Sequence, residues 1–533
     1  MKCKSLIRSN KRGNIMQKKN SEKNHTTEIE KKFDAETNTL FGKIYEYNYK
    51  LMKKSEDNSL EGKYDFIEIF DFYITSHALS LMKNIYHGYW GSLGMLQNVR
   101  CILEGMAIKR MYQKGDINQD QIDLLQVQEF LIEYRYYSRF TDIIDSILIP
   151  EKLKKDYDDA CDVYNSKLKL KFDAKHIKKI IKSNIPFLCD PAISHRSLIY
   201  KYLGEEYATV YGICSQVIHP SENVSYKISQ YYDFVMLAYA VIVNEYSQLP
   251  PQKTTLQRHT FMSMSSDIAK ELHHIIGVEA KVIEGIAEVF FRFFNDNYVS
   301  NTLYTISLLS QEMMFDRLTG FSEQVKVKWK IMLELFSVFH YEYVIQGLCG
   351  ERYKLLLEHQ IIQALRNCNQ PYDVTSAYEI YKQLYPHGCD MEIFENSYIQ
   401  LTGYTIDESG NVMTLTNMVD QFVHKFSAGE NKSAFEQGMK IDYVESQMIS
   451  HANGYMWFAN TGAWMDTYNI FQATDASLLF VLNEVQMVFE MHRAIEGTKE
   501  YKSIINVLRN GQKKISELMK RKLELMKIPG III

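Results

Sequence analysis

Apolar residues recur at three- and four-residue steps along most of the chain. "FDAETNTLFGKIYEYNYKLMKK" from residue 33, "GMLQNVRCILEGMAIKRMY" from 94 and "VQEFLIEYRYYSRFTDIIDSIL" from 127 all show it. That period predicts amphipathic helices, and similar patterns return from 260 to about 526. Alternation with turn residues is confined to short pieces such as "YTIDESGNVMTL" at 404–415, where "DESGN" can close a hairpin. The expected fold class is therefore all-α, with one small hairpin near 404–415. "LPPQKTT" at 249–255 carries two prolines and no period, which marks a linker. The expected organisation is a disordered basic leader over 1–34, a helical module over 35–247, a linker over 248–257 and a second helical module over 258–533.

The two halves resemble each other. Each carries a Leu-Glu pair on a helix, then a long insert, then a helix running from a tyrosine to a histidine. In the first half these are Glu104, Tyr211 and His219. In the second they are Glu358, Tyr443 and His451, which predicts that Glu104 superposes on Glu358 and His219 on His451. The alignment places Lys354 against Arg100 and Gln447 against Ser215.

In "YGICSQVIHPSEN", positions 211, 215 and 219 span roughly 80° of one helix face and about 12 Å of its length. Pro220 disfavours helical geometry at His219, so the helix ends there. His451 precedes Ala-Asn-Gly, a similar stop. A helix C-terminus favours a cation, and imidazole titrates near neutrality, so both histidines suit acid–base work. They suit equally a structural role, capping the last carbonyls. Arg100 and Glu104 form an i,i+4 pair among Cys101, Ile102, Leu103 and Met106. A half-buried pair of this kind needs further hydrogen bonds, and Tyr211, Ser215 and His219 are the expected suppliers. The alternative is a core polar network that fixes helix register.

Composition narrows the classes. The 533 residues exceed one ordinary core, and 46% hydrophobic with 24% charged residues is normal for a globular protein. The net charge of −4 argues against a global nucleic-acid or membrane surface but leaves room for a local basic patch. The 8 cysteines form no Cys-x-x-Cys pair, and no phosphate loop, nucleophile elbow or zinc helix occurs. No apolar run approaches a membrane span and no secretory signal is evident, so a cytoplasmic protein is expected.

"RCILEG" followed by "YATVYGICSQVIHPSEN" resembles a family of bacterial helical proteins within the HEPN superfamily, whose members show an Arg-x-x-x-Glu helix and a later Tyr-x-x-x-Ser-x-x-x-His-Pro helix. Arg100, Glu104, Tyr211, Ser215, His219 and Pro220 match residue by residue. The second half departs at Lys354, Gln447 and Ala452. The resemblance implies helical bundles, two in tandem, and a metal-independent endoribonuclease of stress or phage-defence systems, with no cofactor. The usual HEPN active motif, an Arg followed by His, has one counterpart here, Arg352 with His359. Expected partners are RNA, a protein from a defence or toxin–antitoxin system, or a second copy of the chain. A non-catalytic protein-binding module and a nucleotide or small-ligand sensor remain as alternatives.

Overall fold

A computed structural model describes residues 35–52, 65–86, 92–119, 150–168, 194–218, 228–250, 266–294, 297–318, 322–341, 370–400, 403–426, 432–450, 467–491 and 499–526, with scattered residues near 54, 122–134 and 355–366. The basic leader 1–34 and most of the expected linker lie outside the described residues.

The fold is all-α apart from one hairpin. The first set of helices comprises α1 (35–52), α2 (Phe66–Tyr86), α3 (Leu93–Gln113), α4 (Pro150–Leu168), α5 (His195–Tyr202), α6 (Glu205–Val217) and α7 (Ile228–Tyr246). The second comprises α8 (Ser266–Phe294), α9 (Asn297–Leu318), α10 (Ser322–Phe339), α11 (Thr375–Leu384), α12 (Met391–Gln400), α13 (Leu415–Phe426), α14 (Lys432–Ile449), α15 (Thr467–Met491) and α16 (Lys499–Met526). The expected hairpin is present: β1 (Gly403–Ile406) pairs antiparallel with β2 (Val412–Thr414). Asp407 shapes its turn by accepting from the Ser409 and Asn411 amides, both at 2.9 Å. Gly410 supplies the left-handed residue at φ 81°.

Each set is organised around one helix that is buried on nearly every side. Ser92 starts α3 by capping the Met95 amide, and almost every later residue of that helix is buried. A helix buried on every side belongs at the centre of a core, and α2, α5, α6 and α7 pack around it. In the second set α10 takes that place, surrounded by α9, α13, α14 and α15. Helix α1 is tied to α2 through Asn48, which donates to Thr75 and Ser76, while α8 packs along α9. The same six-helix arrangement thus recurs, in the same chain order. Besides α4, two features of the second set break the repeat. The segment between α10 and α13 builds its own small core from Tyr381, Phe394, Tyr398 and Ile406, and α16, packed on α8 and α15, has no counterpart among the described helices of the first set.

One hydrophobic core runs through both sets. Where they meet, α2 and α3 face α9 and α10 across a buried polar cluster. Ser80 donates to Asp316 at 3.0 Å, and Asn84 donates to Glu312 at 3.2 Å. Lys328 bonds Ser80 at 3.2 Å, lies 3.3 Å from Glu312 and pairs with Asp316. Burial raises both carboxyl pKa values and Lys328 opposes it. Burial likewise works against the ammonium, but the two carboxylates prevail and its pKa is raised. Gly94 permits the approach: a Cβ there would lie 1.9 Å from Glu312 Oε2 and 2.6 Å from Lys328 Cε.

Candidate functional site

Arg100 and Glu104 project from consecutive turns of α3, and Tyr211 projects from α6. Arg100 Nε lies 3.2 Å from Glu104 Oε1, and the Tyr211 hydroxyl donates to the same oxygen at 2.9 Å. The guanidinium carbon stands 6.0 Å from the Tyr211 ring centroid. Ser215, one turn further along α6, is half-buried. The cluster is closed to solvent: Arg100 is 2% exposed, Glu104 1% and Tyr211 7%. Burial opposes the charge on Arg100, but Glu104, Tyr211 and Cys101 together outweigh it and the guanidinium is held firmly cationic. Burial and then Glu104 push the Tyr211 phenol far above its usual range.

The surroundings are equally inert. Burial pushes the Cys101 and Cys214 thiols up to about 12, so neither is a thiolate near neutral pH. Burial lowers His77 to about 4 despite its 2.8 Å contact with Asn98, leaving a neutral imidazole. His195, the first residue of α5, is a second described histidine beside the cluster. It is buried, with its ring 6.5 Å from that of Tyr211. Helix α6 ends at Val217, with Ile218 bonded back to Cys214, where Pro220 requires the stop. His219 itself lies outside the described residues.

The second set contains the same constellation at residues other than those expected. Tyr443 of α14 donates to Glu334 Oε1 at 3.1 Å, and Lys330 lies 3.5 Å from that oxygen, one turn earlier on α10. "RCILE" at 100–104 therefore corresponds to "KIMLE" at 330–334, not to the Leu-Glu pair at 357–358. The chain offers three Leu-Glu pairs after residue 300, at 333–334, 357–358 and 523–524, and the sequence alignment takes the wrong one. Spacing is the signal that distinguishes them. Tyr211 follows Glu104 by 107 positions, and Tyr443 follows Glu334 by 109. Glu358 and His359 sit instead by the small separate core, where His359 is buried edge-on to Tyr398 at 5.0 Å. Arg352, Lys354 and His451 lie outside the described residues.

The correspondence extends to the helix ends. Arg110 at the end of α3 pairs with Glu245 of α7 at 2.6 Å. His340, just beyond α10, contacts Glu484 of α15 at 2.7 Å. Among the described residues no group of three metal-ligating side chains converges, and no helix is long and apolar enough to cross a membrane. Models of known families, curated proteins and solved structures yield no match to this chain.

Proposed function

We propose that the chain is a non-catalytic binding protein made of two HEPN-like helical modules, of the kind that serves bacterial stress or phage-defence systems. The observation that carries this is the closure of both triads. A nucleic-acid phosphate cannot reach an Arg100–Glu104 pair that is almost wholly buried and whose carboxylate already accepts from Tyr211. The same geometry recurs with lysine in place of arginine at Lys330. Bidentate recognition of phosphate distinguishes the two cations sharply, whereas a register-fixing ion pair tolerates either.

Incubation of the purified full-length protein with mixed RNA tests the proposal. The expected result is no cleavage, while Glu104→Gln and Tyr211→Phe each lower the melting temperature. RNA cleavage abolished by His219→Ala at unchanged melting temperature would show that the protein is a ribonuclease and overturn the reading. A general base contributes a rate factor of about 10²–10⁴, which such an assay resolves easily.

A further inference from the structure

Helix α16 stands outside the repeat and has two faces of very different character. Ile504, Leu508, Ile515, Leu525 and Met526 are buried against the second set, and Gly511 lets the helix approach Val282 and Ile286 of α8. Lys522, buried in that face, bonds Glu279 of α8 at 2.8 Å and Asp475 of α15 at 2.6 Å. The opposite face is cationic. Lys502, Arg509, Lys513 and Lys520 are all exposed. At 100° and 1.5 Å per residue they fall within about 40° of one another and form a straight row about 27 Å long. Lys514 and Arg521 flank the row, near Glu517 at 3.8 Å and Glu524 at 3.6 Å respectively. Arg521 also pairs with Glu271 of α8 at 2.7 Å. In a chain of net charge −4, this is a local reversal of sign.

We infer that the outward face of α16 docks the phosphate backbone of a nucleic-acid duplex, independently of sequence. A straight row of cations on a rigid helix matches a stiff linear polyanion, and counterion release supplies the driving force. Single strands are held largely by aromatic stacking, and the exposed side chains of this face include no aromatic. Insertion into an acidic lipid surface uses an apolar helix face, and the apolar face of α16 is already spent on the core. The inference supplies a partner for the non-catalytic reading but is separable from it. A protein that cleaved RNA and still bound duplex through this row would remove that reading and keep this one.

The test uses the full-length chain and fluorescence anisotropy with two labelled 30-bp DNA duplexes of unrelated sequence, a 30-nt single strand and phosphatidylserine vesicles. Equal binding of both duplexes is expected. With four phosphates neutralised, the logarithmic salt slope is about −3.6, so each doubling of salt weakens binding roughly 12-fold. The K502E/R509E/K513E/K520E variant should lose at least about tenfold in affinity and most of the slope. Its melting temperature should stay near that of the parent, because all four side chains point away from the core. K50E/K54E, at exposed lysines of the first set, should bind as the parent does. Absence of duplex binding, undiminished binding by the fourfold variant, or preference for single strand or vesicles over duplex would each overturn the inference.

Discussion

The two halves use one architecture with different chemistry at equivalent points. Arg100 and Lys330 both hold a glutamate that accepts from a tyrosine two helices away in the repeat. Arg110 and His340 both reach a glutamate on the last helix of the repeat. The partition differs most at the junction. Asn98 and Lys328 each lie two residues before the cation of their triad. Asn98 donates to Ser80, and Lys328 faces Glu312 and Asp316. Within the hydrogen-bonded cluster the first half therefore supplies neutral amides and hydroxyls and the second supplies the charges, with Lys83 of α2 at its edge, 5.7 Å from the Phe315 ring. What is kept is the presence of a polar link at each position. What drifts is the ionisable group that makes it. That pattern suits links whose task is to fix helix register, since a reacting group could not change identity so freely.

The largest effect is expected at the junction. Lys328→Met strands two carboxylates at about 1% exposure or less. Breaking a buried ion pair of this kind costs about 3–5 kcal/mol, which urea unfolding measures. Asn98→Ala, its counterpart, should cost only about 1–3 kcal/mol. Equal losses would dissolve the contrast between a charged and a neutral half. Next come the triads. Glu104→Gln leaves Arg100 buried without its counterion and should cost about 3 kcal/mol or more. Glu334→Gln should cost less, because Lys330 lies at 3.5 Å and nearer the surface.

The second half should show a pH effect opposite in sign to that of the buried, neutral His77 in the first. Burial, reinforced by Glu279, raises Asp475 from its ordinary 3.8 to about 8, with Lys522 opposing. The folded state thus retains a proton that the unfolded chain releases above about pH 4. The associated stability is fully present below that pH, declines as pH rises and is gone beyond about 8. One proton gives at most about 1.4 kcal/mol per pH unit. Asp475→Asn should flatten this part of the stability curve, and an unchanged slope would show that the proton sits elsewhere. Effects smaller than those of the glutamate substitutions are expected from Tyr211→Phe and Tyr443→Phe, each removing one hydrogen bond to a carboxylate for about 1.5–3 kcal/mol or less. Similar values for the two would support equivalent roles, and a large loss at only one would separate them.

Much of the helical architecture was legible in the apolar period, and the hairpin in the turn chemistry of "DESGN". Arg100, Glu104 and Tyr211 stood out because a charged pair inside a run of apolar residues is unusual. The second triad was harder. "VKVKWK" at 325–330 looks like a solvated strip, yet Lys326, Lys328 and Lys330 are all buried, each beside a carboxylate: Glu445, Glu312 with Asp316, and Glu334. Three of those four partners lie on α9 and α14 or are reached only after folding brings helices together, so no local pattern announces them. Ser80 and Asn84 were invisible for the same reason, because their partners are more than 200 positions away.

The unequal sharing of charge at the junction also governs which halves can meet. Ser80 faces Asp316 while Asn84 faces Glu312, a crossed pairing of the kind a two-fold axis produces. Two second halves brought together in that way would enclose four carboxylates with two lysines, and two first halves would set hydroxyls and amides together with only the Lys83 ammonium groups nearby. Only the mixed pairing sets one ammonium against two acids and lines the remainder with hydroxyl and amide donors. During synthesis the first half emerges without its complement, and neighbouring chains on one message would present it with identical surfaces. The charge imbalance makes the later half of either chain a better match than another first half, so the junction selects for correct assembly as well as holding it.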